Sequence, residues 1–325
     1  MEFSNAGRID FMNQILKKYP VPISGLILGL AAAGNLVQSY GKIYHSIFGI
    51  MSAALFILMI AKIMKYPKDV AESLNNPVVA SVFPTLSMAI MLLSVYIKPY
   101  ESSVAITMWI IGVILHIILI IWFTKKFALN IKINQVFPSW FIVYVGIAVA
   151  SVTGPAFKMI NIGQIAFWFG FITYIILLPV VIYRIVIAKE MPEQTLPTLA
   201  IFAAPASLLL AGYMNSFKAK NMMMVWFLMI LSMIMYAAVI IMLFKLLKLK
   251  FYPSYSGFTF PLVISGIAMK LTNVFFNKSG HAILLLPYLV KFQEIAGAVI
   301  TLYVLVRYIQ FISPRKYGAL NLEEK

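Results

Sequence analysis

The sequence predicts an all-α integral membrane protein of ten transmembrane helices, on three observations. Of its 325 residues, 62% are hydrophobic and only 11% charged, a balance outside the range of soluble globular domains. Apolar stretches recur along the whole chain, each near the ~20 residues needed to cross a hydrocarbon core about 30 Å thick. Every second stretch carries a proline in its first half, at intervals of roughly sixty residues, the mark of a duplicated unit.

Bounded by charge or by Pro, Gly and Asn, the spans run approximately over 21–40, 43–64, 77–97, 102–124, 137–156, 160–184, 196–214, 221–244, 255–275 and 282–308. Residues 1–20 and 309–325 are expected to flank the ten-helix transmembrane domain of 21–308 as cytoplasmic segments. The first twenty residues have no cleavable apolar core, so the N-terminus is expected to be retained. Loops after odd spans are short, so the spans read as five hairpins. The odd members hold Pro22, Pro84, Pro138, Pro205 and Pro261, with Pro179 and Pro287 as exceptions in even spans. Five kinked helices inside five straighter ones is the simplest arrangement giving that alternation a purpose. A proline within a helix leaves a carbonyl without its donor, which either a neighbouring helix relieves or a lumen exploits.

Of the 26 basic residues, 18 fall on the side shared by both termini. Six fall on the other: Lys42, Lys98, Lys158, Lys218, Lys220 and Lys278. The bias places both termini in the cytoplasm. After subtracting the acidic residues, 18 − 8 and 6 − 1, both faces stay positive, at +10 and +5, so anions concentrate at either mouth. The basic residues are spread over short loops rather than gathered on one face, which argues against nucleic acid as a partner.

The stretch Gly257-Phe258-Thr259-Phe260-Pro261-Leu262 is the sharpest local irregularity. Phe260 stands beside small Gly257 and Thr259 and directly before Pro261. Such a ring either packs in the protein or against lipid, or projects into a narrow lumen and gates it by sterics and dewetting. Membrane-embedded charge is confined to Lys270, Lys291 and Glu294. Lys291 and Glu294 stand three residues apart, which suits an ion pair on one helix face. Hydroxyls and amides in odd spans, among them Ser24, Asn35, Ser87, Ser151, Thr153, Ser207 and Ser265, either wet a lumen or bond within and between helices.

The chain has no cysteine, and His45, His116 and His281 have no metal-ligand spacing. No metalloprotease, nucleophile-elbow, Walker A or dinucleotide-binding motif occurs. Neither an enzyme nor a cofactor is expected.

The five segments VPISGLILGLAAAGNL (21–36), FPTLSM (83–88), FPSW (137–140), APASLLLAGY (204–213) and GFTFPL (257–262) together resemble the tellurite-resistance/dicarboxylate transporter family. That family includes the bacterial tellurite-resistance membrane protein and the slow-type anion channel of plant guard cells. The resemblance implies a quasi-five-fold ring of hairpins, odd helices lining a central pore, and a homotrimer with one pore per protomer. It further implies passage of small monovalent anions such as chloride, with Phe260 as the plug. The long regulatory tails of the plant channels have no counterpart here, and Lys270, Lys291 and Glu294 match no family motif. A C4-dicarboxylate or tellurite carrier, proton-coupled through Glu294, is the alternative; it would need a cation such as Lys270 or Lys291 in mid-lumen.

Overall fold

The structure, a computed structural model, describes residues 5–189 and 191–313, and all regular structure among them is helical. Ten helical stretches are long and apolar enough to cross a membrane: Val21–Tyr40, Lys42–Lys65, Pro77–Ile97, Ser102–Ala128, Trp140–Phe157, Ile160–Ala188, Glu193–Ser216, Met222–Leu246, Pro253–Lys278 and Leu286–Ile312. They are spans 1 to 10 below. Two helices outside the expected set, Asn5–Lys18 and Pro67–Ser73, lie before span 1 and between spans 2 and 3.

Local chemistry sets several ends. The side chains of Asn76 and Asn221 accept from the second and third backbone N–H groups that follow them, at 2.9 and 3.3 Å in each case, starting spans 3 and 8 as N-caps. Glu101 caps span 4 through the Ser103 N–H at 3.3 Å. Between spans 9 and 10 the chain turns at Gly280, whose φ of 76° a Cβ would oppose.

Each odd span packs on the even span that follows it, so the five hairpins form as expected. The odd spans also touch one another in a closed circuit, 1 to 3 to 5 to 7 to 9 and back to 1. Burial separates the two sets: 67–89% of the most apolar part of each odd span is buried, against 28–33% of each even span. Even spans turn large apolar side chains outward, as span 4 does with Ile110, Ile114, Ile117, Ile118 and Ile121. A bilayer is an apolar solvent, so the outer layer can be the greasier one, and polar groups collect in the inner layer where other helices satisfy them.

The repeat prolines stand at or near the start of an α-segment, and at Pro84 a shorter α-segment, Pro77–Val82, comes before it in the same span. Pro22 lies in a 3₁₀ turn just before the α-helix from Ser24, Pro84 immediately precedes the α-helix from Thr85, and Pro138 stands two residues before that from Trp140. Span 7 is 3₁₀ from Glu193 to Ala203 and α from Ala204, so Pro205 is its second α residue. Span 9 is 3₁₀ from Pro253 to Phe258 and α from Thr259, so Pro261 is the third. The preceding turns supply acceptors to the first α N–H groups, as Ile201 O does for Ala204 and Ser256 O for Thr259, whereas a proline at the junction has no N–H to donate. The prolines therefore mark junctions at which α-segments of the inner spans begin.

A candidate pore and its plug

Two cavities lie within the inner ring, and each is lined by residues of all five odd spans. The cavity nearer the end that carries the termini is tight, about 30 Å³, with Gly25, Thr85, Phe141, Ile201 and Gly257 among its walls. That is room for one or two waters. The cavity towards the far end is wider, about 280 Å³, and meets Asn35, Gln38, Thr153 and Asn215. No charged side chain among the described residues lines either one.

Among the described residues only two border both cavities: Phe260 of span 9 and Leu208 of span 7. They are 6% and 2% exposed and stand where the two chambers adjoin. Starting span 9 at Pro253 moves Phe260 inward from where a start near Gly257 would put it. Six 3₁₀ residues and one α residue carry it ~13 Å along the span.

Close packing fixes the backbone around Phe260. The Thr259 hydroxyl shares its proton between Gly25 O at 3.0 Å and Ser256 O at 2.8 Å. A Cβ on Gly29 would lie 2.3 Å from Thr259 Oγ1 and 3.1 Å from the Phe260 backbone nitrogen. Span 1 thus needs glycine at 29 to approach span 9 beside Phe260. Gly257 lets span 9 approach span 7, since its Cβ would meet Pro197 O at 3.2 Å. The phenylalanines before the other FP prolines sit elsewhere: Phe83 and Phe137 line neither chamber.

The inner-layer hydroxyls are mostly stitches between neighbours. Thr85 donates to Ser24 Oγ at 2.8 Å, Ser81 and Ser139 are 2.6 Å apart, and Ser216 donates to Ser151 O at 2.6 Å. Ser207 lies 2.9 Å from Ser265 and 2.7 Å from Ser232 of span 8. With Thr259 on Gly25, every adjacent pair in the circuit carries a hydroxyl bridge. Of the polar residues singled out in the sequence, Asn35 and Thr153 border a chamber, whereas Ser24, Ser87, Ser151, Ser207 and Ser265 do not.

The profile of the voltage-dependent anion channel family (SLAC1) matches residues 19–309, the whole of this ten-span body. The chain belongs to the SLAC1 family. It is also similar to two proteins of Methanocaldococcus jannaschii, each named an uncharacterized transporter. One is 26% identical over 73% of this chain and 76% of the relative, the other 22% identical over 78% and 82%. Membership supports an anion transport role, which makes the two uncharged chambers the candidate passage.

Read as a SLAC1-family pore, this chain keeps its membrane-embedded charges off the chamber walls. The expected Lys291–Glu294 pair is replaced by another: Lys270 Nζ lies 2.6 Å from Glu294 Oε1. The same ammonium donates to Leu36 O at 2.9 Å and Ser39 Oγ at 2.6 Å. The Tyr40 hydroxyl donates to Glu294 Oε2. Lys291 instead donates to the Tyr40 hydroxyl at 2.8 Å and lies 4.2 Å from its ring centroid. The cluster therefore clamps spans 1, 9 and 10 together behind the wall.

Among the site prolines, Pro205 and Pro261 border the tighter chamber, while Pro22, Pro84 and Pro138 stand off it; Gly257 borders it and Thr259 does not. Leu208 was not among the sequence candidates, yet a signal existed. In spans 7 and 9 the wall positions keep one register from the proline: Ile201, Ala204, Pro205 and Leu208 match Gly257, Phe260, Pro261 and Ile264. Ala204 is thus the positional equivalent of Phe260, and of these two spans only span 9 carries the ring.

Proposed function

We propose that the chain is a passive channel for small monovalent anions, chloride and nitrate among them, lined by the odd spans and closed by Phe260 against Leu208. The observation that carries this is the pair of uncharged chambers spanning all five odd spans and meeting only at those two side chains. Fast passage requires attraction strong enough to enter and weak enough to leave. The positive loops concentrate anions at either mouth, and the walls offer no fixed cation to hold them. Asn35 borders the wider chamber, and its Oδ1 lies 3.1 Å from Nε2 of His45, which stands outside the chamber wall. With the amide oxygen so engaged, the Asn35 NH₂ is left as a donor suited to an anion. The reading places the protein in the cytoplasmic membrane with both termini inside, as a homotrimer with one pore per protomer.

The M. jannaschii relatives are named transporters, which favours a second reading: a carrier for C4-dicarboxylates or tellurite, coupled to protons through Glu294. Its required mid-lumen cation is not on the walls, because Lys270 is paired behind them. Planar-bilayer recording in a chloride gradient separates the two. A channel gives currents that reverse near the chloride equilibrium potential, ignore a pH gradient and persist in Glu294→Gln. Saturable, pH-driven uptake that collapses in Glu294→Gln would establish the carrier instead.

A further inference from the structure

A cleft of about 690 Å³ opens sideways between span 2 and spans 3 and 4, at the end of the molecule away from the termini. It exists because the Tyr96 ring of span 3 is wedged into the first hairpin. The Tyr96 hydroxyl donates to Ala31 O at 2.6 Å, and its ring stacks on His45 at 4.0 Å with a 7° interplanar angle. A Cβ on Gly34 would lie 2.2 Å from the Tyr96 hydroxyl, and one on Gly49 2.5 Å from its ring. Glycines on two helices thus admit the ring, and beyond it spans 2 and 3 touch only lightly.

The cleft is amphiphilic along its length. Lys42, His45 and Ser46 stand at its mouth, and Ala53, Phe56 and Ile57 continue as an apolar floor. From Lys42 to Ile57 is ~22 Å of helix at 1.5 Å per residue, enough to run through one leaflet, which is about half of a 30 Å core. No acidic side chain among the described residues lines it. Glu101, next to Tyr100 of the rim, is turned to the Ser103 N–H as a cap. A single cation over a leaflet-deep apolar slot matches a phosphate on an acyl chain.

We propose that this cleft holds one anionic glycerophospholipid per protomer, its phosphate at Lys42 and an acyl chain along the floor. Occupancy bears on conduction, because Gln38 borders both the cleft and the wider chamber and His45 reaches from the cleft to Asn35 of that chamber.

Native mass spectrometry of the full chain, with phosphatidylglycerol and phosphatidylcholine of matched chains added, tests this. Wild type is expected to retain phosphatidylglycerol preferentially, with Lys42→Ala lowering that preference about fivefold. Ala53→Trp is expected to abolish retention of both lipids while the melting temperature holds. Wild-type retention in Ala53→Trp, or an unchanged preference in Lys42→Ala, would overturn the site. Should Ala53→Trp fail to fold, a photo-crosslinker at Ile57 in phosphatidylglycerol vesicles decides. A lipid adduct supports the site; an adduct to a second copy means that protein covers the cleft, and the proposal falls.

Discussion

On the proposed reading, Phe260 and Leu208 divide the work of closure unequally. The ring is the larger obstruction and is held by its backbone between Thr259 and Pro261, while Leu208 supplies the surface it closes against. Leu208→Ala is therefore expected to raise anion current less than Phe260→Ala does, and the double variant to conduct little more than Phe260→Ala alone. Equal and independent increments, read in the same bilayers, would mean two separate gates. Gly29 is the second residue on which the plug depends. Gly29→Ala places a Cβ 2.3 Å from a β-branched neighbour that cannot swing away, and such overpacking costs about 1–3 kcal/mol. The melting temperature should fall, and Thr259→Gly added to Gly29→Ala should recover part of the loss. A strictly additive pair of losses would remove the contact from the account.

At the scale of the helices, apolar length and the proline period carried most of the information. Ten spans, their pairing and their inner and outer sets were readable because a membrane imposes length and because the inner spans hold the small and hydroxylated residues. What the prolines do was not readable, since sequence alone does not distinguish a proline inside an α-helix from one that begins it after a 3₁₀ segment. Pro261 and Pro205 show the difference, being third and second α residues of spans whose first halves are 3₁₀. The partner of Glu294 was also hidden. Spacing along one helix favoured Lys291, but Lys270 of the adjacent span comes to 2.6 Å. Tyr40 of span 1, distant in sequence, completes the cluster. Removing one member leaves a poorly solvated charge. Glu294→Leu or Lys270→Met alone should lower stability by about 1–3 kcal/mol, a range reduced for the part-exposed lysine, and the double replacement should cost less than either. Thermal unfolding in detergent measures this, and a double variant worse than both singles would contradict the clamp.

Taken whole, the molecule is an inner circuit of five polar-stitched helices shielded from lipid by five greasier ones. The hydroxyl bridges join all five adjacent inner pairs, so the ring is held by many small bonds, each worth about 1 kcal/mol or less in a membrane. No single bridge should be indispensable. Ser207→Ala, which removes contacts at 2.6–2.9 Å to Ala203 O, Ser232 and Ser265, is expected to lower the melting temperature while leaving ion selectivity as in wild type. A change of selectivity without a change of stability would move that serine to the pore wall. Because neither chamber carries a charge, selection between anions should follow their size and dehydration rather than a binding residue, while the positive faces set the sign of the permeant ion.

The most direct test of the central claim is a comparison of wild type and Phe260→Ala, at equal expression and matched melting temperature, in planar bilayers bathed in chloride, nitrate and malate. The structure predicts a large increase in chloride and nitrate current with the reversal potential still following the anion gradient. A current no greater than that of wild type would contradict Phe260 as the plug between the two chambers.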